Sequence, residues 1–271
     1  MITAAISITN TPKQQLYRLL ECIKMADIDF VYVVDNSYND YYRIVEKEFE
    51  NIRYIYSENF GYGANHNIAL RAALDVGSDF HIILNPDIYF EPDVIPSLLH
   101  YMNENDNTVY ILPKVLYQDG EIQYLCKLLP TPFDLLARRF LPNKSIFKQL
   151  NEKYCLKSFG YNKEINPPCL SGCFMFLRMS AIKEYNIFFD EQYFLYCEDF
   201  DFIRRLHRIG KTIYYPNVSI IHDHAKQSYK SRKWLFVHIK SVITYFNKWG
   251  WFFDIERKNM NRQILNELKE I

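Results

Sequence analysis

Four apolar runs in residues 1 to 90, AAISITN (4–10), FVYVVDNS (30–37), IRYIYSEN (52–59) and FHIILNPD (80–87), each finish on polar residues. Helical patterns fall between them. Leu16, Leu19, Leu20 and Ile23 recur at helical spacing after Thr11 and Pro12, which suit a cap and a first helical position, and Ala69, Leu70, Ala73 and Leu74 line one face of a later helix. Strands alternating with helices require right-handed crossovers, hence a mainly parallel sheet covered on both faces. Ligands bind such sheets at the carboxyl ends of the strands. Asn10, Asp35, Asn59 and Asp87 all stand at those ends. Asp and Asn are also common turn formers and caps, so a structural role stands beside the ligand-binding one.

With 271 residues the chain has room for one large domain with an appendage or for two small ones. Lys plus Arg balances Asp plus Glu, 32 against 32, so no global charge argues for nucleic acid. Cysteines 22, 126, 155, 169, 173 and 197 contain no C-x-x-C pair, which fits reduced, buried thiols. The opening MITAAISIT lacks a basic start and a long apolar region, so no signal peptide is expected. No run reaches the roughly 18 apolar residues of a membrane span. The expectation is a cytoplasmic protein, soluble or peripheral on the inner face of the cell membrane.

ENFGYGANHN (58–67) is read as a loop in which Gly61 and Gly63 let backbone approach a ligand while Asn65 and Asn67 bond to it. A dinucleotide fingerprint is excluded, because His66 stands where its third glycine belongs and the loop follows the third strand. Simple turn glycines are the competing reading. Further on, PKVLYQDGEIQ (113–123) reads as a hairpin around Asp119 and Gly120, and residues 126 to 166 as an irregular basic and aromatic insertion. CLSGCFMFLRMSAI (169–182) reads as a strand kinked at Ser171 and Gly172, then a short helix. Glu198, Asp199 and Asp201 open a helix with Ile203 and Leu206 inward; they complement its dipole and suit Arg204, Arg205 and Arg208 as partners. PNVSIIHDH (216–224) is a last strand whose His222 and His224 make only a weak zinc pattern.

In this order, VVDNS, NFGYGANHN, ILNPD, SGCFMFLR, FDEQYFLYCEDFDFIRRL and IIHDH resemble the family 2 glycosyltransferases of the GT-A fold, in particular their bacterial rhamnosyltransferase-like branch, over residues 3 to 228. The resemblance implies an α/β protein with a Rossmann-like, mainly parallel sheet flanked by helices. It implies a catalytic domain at 1–228, with a nucleotide-sugar half at 1–115 and an acceptor half at 116–228, and a helical C-terminal extension at 229–271. By the same resemblance Thr9, Asn10 and Asp35 hold the donor nucleotide, and the loop with Asn59, Gly61, Gly63 and Asn67 flanks its base and diphosphate. Asn85 precedes the acidic position, Asp87, as ligand of Mg²⁺ or Mn²⁺, and His222 is a further contact to metal or diphosphate. Ser171, Gly172 and Glu198 join the substrate-binding set, with Asp199 as general base.

The chemistry calls for these residue types. Breaking a sugar–diphosphate bond builds negative charge that a divalent ion with oxygen ligands neutralises, and a carboxylate takes the proton of the attacking hydroxyl, giving inversion. A single acid at 85–87, where many relatives have more, leaves the metal to be completed by donor oxygens. Cys173 stands where a small residue is common, a packing change. The implied donor is a dTDP- or UDP-sugar, dTDP-rhamnose being the narrowest choice, and the acceptor a saccharide or lipid-linked saccharide of bacterial surface polysaccharide. Two alternatives stay open: a nucleotide-sugar-binding protein without transfer, and a sugar nucleotidyltransferase, for which no Gly-rich triphosphate loop is seen near the N-terminus.

Between 232 and 262 Lys and Arg outnumber Asp and Glu seven to two, and Leu235, Ile239, Val242, Phe246 and Trp249 form a helical apolar stripe. That stripe suits packing on the catalytic domain, a homodimer contact, or an interfacial helix on an anionic membrane.

Overall fold

The computed structural model describes residues 1–135, 145–223 and 232–270. His224 and the 228/229 boundary therefore lie outside the described residues. Eight strands form one sheet in the order β3-β2-β1-β4-β7-β6-β8-β5. They are β1 (Ile2–Ile8), β2 (Phe30–Asp35), β3 (Ile52–Tyr56), β4 (Phe80–Leu84), β5 (Ile88–Phe90), β6 (Thr108–Leu116), β7 (Phe174–Arg178) and β8 (Lys211–His222).

The first four strands run parallel to one another, as the alternation requires. Beyond them the sheet is mixed. β7 runs antiparallel to β4 and to β6, β5 runs antiparallel to β8, and only β6 and β8 restore a parallel pair. All five residues of β4 are buried, so its run of apolar side chains is covered on both faces.

Among the helices, α1 (Lys13–Lys24) buries Leu16, Leu19, Leu20 and Ile23. Its N-cap is Pro12, with φ at −58° and no side-chain cap; Thr11 instead offers its carbonyl to the Tyr42 hydroxyl at 2.6 Å. After Asp35 the chain forms a 3-10 turn (Tyr41–Ile44) and the single-turn α2 (Val45–Glu48). Then follow α3 (Tyr62–Asp75), α4 (Val94–Glu104), α5 (Ser145–Tyr154), α6 (Met179–Tyr185), α7 (Glu198–Ile209), α8 (Arg232–Trp249) and α9 (Ile255–Glu270). The expected hairpin at Asp119 and Gly120 is a tight turn with one bridge, Leu116 to Ile122. β8 is longer than the sequence pattern suggested, starting directly after α7.

The C-terminal helices pack on the sheet domain. Val242, Tyr245 and Phe246 of α8 are buried with Leu135, Tyr193 and Cys197, while Leu235, Ile239 and Trp249 are half-buried. Arg204 leaves the acids at the start of its own helix and binds Asp254 at 2.7 Å and Glu256 at 2.6 Å. Arg208 also pairs with Glu256; Arg205 alone of the three takes the expected partner, Asp201, at 2.8 Å. Among the described residues no helix is long and apolar enough to cross a membrane.

Candidate active site

Parallel register sets the carboxyl edge. Ile8 pairs with Asp35 and Ile6 with Leu84, so Thr9, Asn10, Asp35 and Asn85 share one end of three adjacent strands. Thr9 and Asn10 are exposed, and Asn10 adopts a left-handed φ of +49° that asparagine tolerates. Asp35 is fully buried, and both its carboxylate oxygens accept bonds, from the Ser37 N–H at 2.9 Å and the Tyr54 hydroxyl at 2.7 Å. Ser37 in turn accepts from the Asn10 N–H at 2.8 Å. Asp35 thus braces the loop that carries Asn10.

The glycine-rich stretch differs from the sequence reading. α3 begins at Tyr62, so Gly63, Asn65 and Asn67 are helical rather than loop residues. The close backbone approach is made to the protein itself. A Cβ on Gly61, whose φ is +108°, would lie 2.3 Å from the Phe194 carbonyl oxygen, and one on Gly63 would lie 2.6 Å from Phe189 Cβ. Asn67 is buried and exchanges two 2.9 Å bonds with the Phe189 backbone, while its amide also donates to Glu191. These residues tie α3 to the 188–194 segment. Asn59 stays exposed and accepts from the Gly61 N–H at 3.1 Å.

Asp87 lies just past β4, and the antiparallel pairing of β5 with β8 sets Ile88 opposite His222. His222 Nε2 lies 3.4 Å from Asp87 Oδ1, and the Asp223 N–H donates to the Asp87 carbonyl at 2.9 Å. Gln123, buried, holds the imidazole: its amide donates to the His222 carbonyl at 2.7 Å, and its Oε1 lies 3.0 Å from Nδ1. That bond favours a proton on Nδ1 and turns Nε2 toward Asp87. Burial opposes a charge on His222, but the neighbouring Cys173 thiol and Asp87 carboxylate outweigh it and raise the imidazole to about 10.

The second acidic group opens α7. Glu198 is buried and Asp199 half-buried, and Asp199 accepts from the Phe200 N–H at 2.9 Å. Burial raises both carboxyls, Glu198 well above the usual range with Asp199 adding to the effect. Lys127 and the N–H groups of Phe200 and Gly172 pull Asp199 back down. Glu198 therefore favours its neutral form, and Asp199 is the one better supported as an anion.

Tyr62 links the two regions. Its hydroxyl lies 2.6 Å from the Gly172 carbonyl and 3.1 Å from Asn85 Oδ1. A Cβ on Gly172 would stand 3.2 Å from Asp199 Cβ and 3.8 Å from that hydroxyl. Burial raises the Tyr62 phenol well above its ordinary value, and the Glu198, Asp199 and Asp87 carboxyls add to the rise. Ser171, half-buried, gives its carbonyl to the Tyr110 hydroxyl at 2.6 Å. Tyr62, Gln123 and Lys127 carry this arrangement and went unnoticed in the sequence, where one tyrosine among 22 bears no mark.

Among the described residues no three His, Cys, Asp or Glu converge as a complete metal cage. Asp87 and His222 stand side by side as one carboxylate and one imidazole; a divalent ion there would displace the Nε2 proton and would need further oxygen ligands, of the kind a bound diphosphate supplies.

Comparison with known proteins agrees with this architecture. The S. aureus TarS 1–349 crystal structure superposes with a TM-score of 0.61 at 17% identity, over 98% of this chain and 70% of that one. GalNAc-T7 with UDP, GalNAc and Mn²⁺ gives 0.62 at 12% identity, over 98% of this chain and 54% of that one. The fold is GT-A. In sequence, the rhamnosyltransferase WbbL of Escherichia coli K12 is 26% identical over 248 residues, 89% of this chain and 90% of WbbL. The N-acetylglucosaminyl-diphospho-decaprenol L-rhamnosyltransferase of Mycobacterium tuberculosis is 25% identical over 83% of this chain and 76% of its own. The family model described as Glycosyl transferase family 2 matches residues 3–185, spanning β1 through α6. This match covers most of the chain, and with the GT-A sheet it makes the protein a glycosyltransferase: the chain belongs to glycosyl transferase family 2, with rhamnosyltransferase-like relatives.

Proposed function

We propose that this enzyme moves a sugar from a nucleoside diphosphate to a saccharide acceptor with inversion, in one displacement. The names of the two curated relatives support rhamnose as the sugar, and the mycobacterial name supports a saccharide linked through diphosphate to a lipid as the acceptor; within that reading dTDP-rhamnose is the narrowest donor and bacterial surface polysaccharide the product. The UDP and UDP-GlcNAc complexes of TarS support the broader class of nucleotide-sugar donor. The observation that carries the reading is the Tyr62 hydroxyl, joined to Asn85 on one side and to Gly172 beside Asp199 on the other.

In this reading residues 1–115 hold the donor and 116–228 the acceptor. Thr9, Asn10 and Asn59 line the nucleotide side. Asp35 keeps the first of those loops in shape. Asp87 and His222 would hold the divalent ion, Mg²⁺ or Mn²⁺, which when bound would supply positive charge against that developing on the leaving diphosphate. Asp199 takes the proton from the acceptor hydroxyl as it attacks the anomeric carbon. Burial biases Glu198 toward its neutral form, which limits a second negative charge next to that base, and Lys127 favours the ionised form of Asp199.

The test is nucleoside diphosphate release from dTDP-rhamnose and UDP-sugars with and without Mn²⁺, in wild type, Asp87→Ala and Asp199→Asn. Asp87→Ala is expected to abolish metal-dependent turnover. Asp199→Asn is expected to keep donor binding, read as a ligand-induced rise in thermal midpoint, and to lose transfer. Full transfer in Asp199→Asn rejects the base assignment.

A further inference from the structure

The apolar stripe of α8 that packs inward leaves a second face outward. Lys233, Phe236, Lys240 and Ile243 follow at three- and four-residue steps and all are exposed, Phe236 at 71%. Past the end of the helix the chain turns at Gly250, where φ is +97° and a Cβ would lie 2.8 Å from the Phe253 carbonyl oxygen. The turn then presents Phe252 at 79%, Phe253 at 96% and Ile255 at 76% exposure. Large apolar side chains grouped this way mark an interaction site.

The turn is fixed from behind. Asp254 accepts the Arg257 N–H at 2.8 Å at the start of α9 and is clamped by Arg204, while the Trp251 indole donates to Asn247 at 2.9 Å. The charges also sort by side. Residues 232–249 contain no Asp or Glu, and Asp254 and Glu256 are engaged by Arg204 and Arg208. The outward charges of this face are thus lysines set between aromatic and aliphatic groups. Two copies meeting through it would set lysine against lysine with no acid to pair them. An anionic lipid surface satisfies both features, since the lysine stems lie along apolar matter while their ammonium groups reach phosphate.

We propose that the outer face of α8 and the turn to α9 dock on an anionic lipid bilayer, with Phe252 and Phe253 entering the acyl boundary and Lys233 and Lys240 at the headgroups. This deepens the proposed function by fixing where the acceptor is met, and it rests on that reading for the acceptor alone. α8 is bonded to the segment leading into the proposed base, through Ser241 Oγ to the Leu195 carbonyl at 2.7 Å. A docked α8 holds that segment near the bilayer.

The experiment is flotation of the full chain with vesicles of phosphatidylcholine, alone or with phosphatidylglycerol, at low and high salt. Wild type is expected to float with the anionic vesicles and about tenfold less with the neutral ones. Phe252→Ser with Phe253→Ser is expected to weaken flotation about tenfold, and Lys233→Glu with Lys240→Glu to remove the anionic preference. Both variants should keep transfer to a short soluble saccharide. Equal flotation of wild type and both variants, no flotation of wild type, or a dimer in light scattering that the variants dissolve would each overturn the proposal. Lost transfer in wild type with flotation intact counts against the functional reading instead.

Discussion

The backbone of Gly172 runs directly against the side chain of Asp199, so close that a first side-chain carbon on Gly172 would lie 3.2 Å from Asp199 Cβ and 3.3 Å from Met175 Cε. Met175 is flexible and yields; Asp199, at the start of a helix, must shift. Gly172→Ala is therefore expected to fold with a nearly unchanged thermal midpoint and to lose about ten- to a hundredfold in kcat, with donor KM little altered. Steady-state kinetics beside a melting curve separate the two effects.

Tyr62→Phe removes the hydroxyl that joins Asn85 to Gly172 and leaves the Gly172 carbonyl short of a donor. A loss of about 1–3 kcal/mol in urea unfolding is expected. Turnover should fall by more than donor affinity, because what loosens is the distance between the two halves. Unchanged kcat would deny Tyr62 that positioning role.

The proposed base acts when ionised, and burial holds its carboxyl above the ordinary value of 3.8. Activity is accordingly present at high pH and lost as pH falls through that raised value, in a limb shared with Glu198. Lys127 lowers Asp199, so Lys127→Met should move the acid limb of kcat/KM toward higher pH. A limb that stays put would place the titration elsewhere.

Arg204 and Asp254 are both buried, at 1% and 3% side-chain exposure. Arg204→Ala strands the carboxylate and is expected to cost about 3–5 kcal/mol, read by denaturant unfolding. Burial pushes the Asp254 and Glu256 carboxyls up, but hydrogen bonds from Arg204 and Arg208 outweigh it and hold both below their ordinary 3.8 and 4.5. Their contribution is complete above those values and lost as pH falls through the lowered ones. The variant's stability should therefore fall less on acidification than that of wild type.

The first half of the sheet was legible because each of its strands is a continuous apolar run closed by a polar residue, a pattern that fixes both element and ligand edge. Direction was not. Phe174 to Arg178 pack equally well either way up, and only the chain's path brings β7 in antiparallel. Glycines at 61 and 63 announced that backbone comes close to something, but sequence does not say to what; the partners are Phe194 and Phe189. Asp87 stood out by its place at the tip of an apolar strand, whereas Asp199 and His222 drew notice only through the order of the motifs around them. Gln123, which holds His222, and Tyr62, which bonds to Asn85 and Gly172, are ordinary residues whose value lies in contacts across 99 and 110 positions.

The strand pair that sets His222 beside Asp87 closes a loop of about half the chain, and its later member lies near the end of the sheet domain. During synthesis β1 to β4 are thus complete while His222 is still well over a hundred residues away. A chain cut short before β8 therefore lacks the imidazole that faces Asp87.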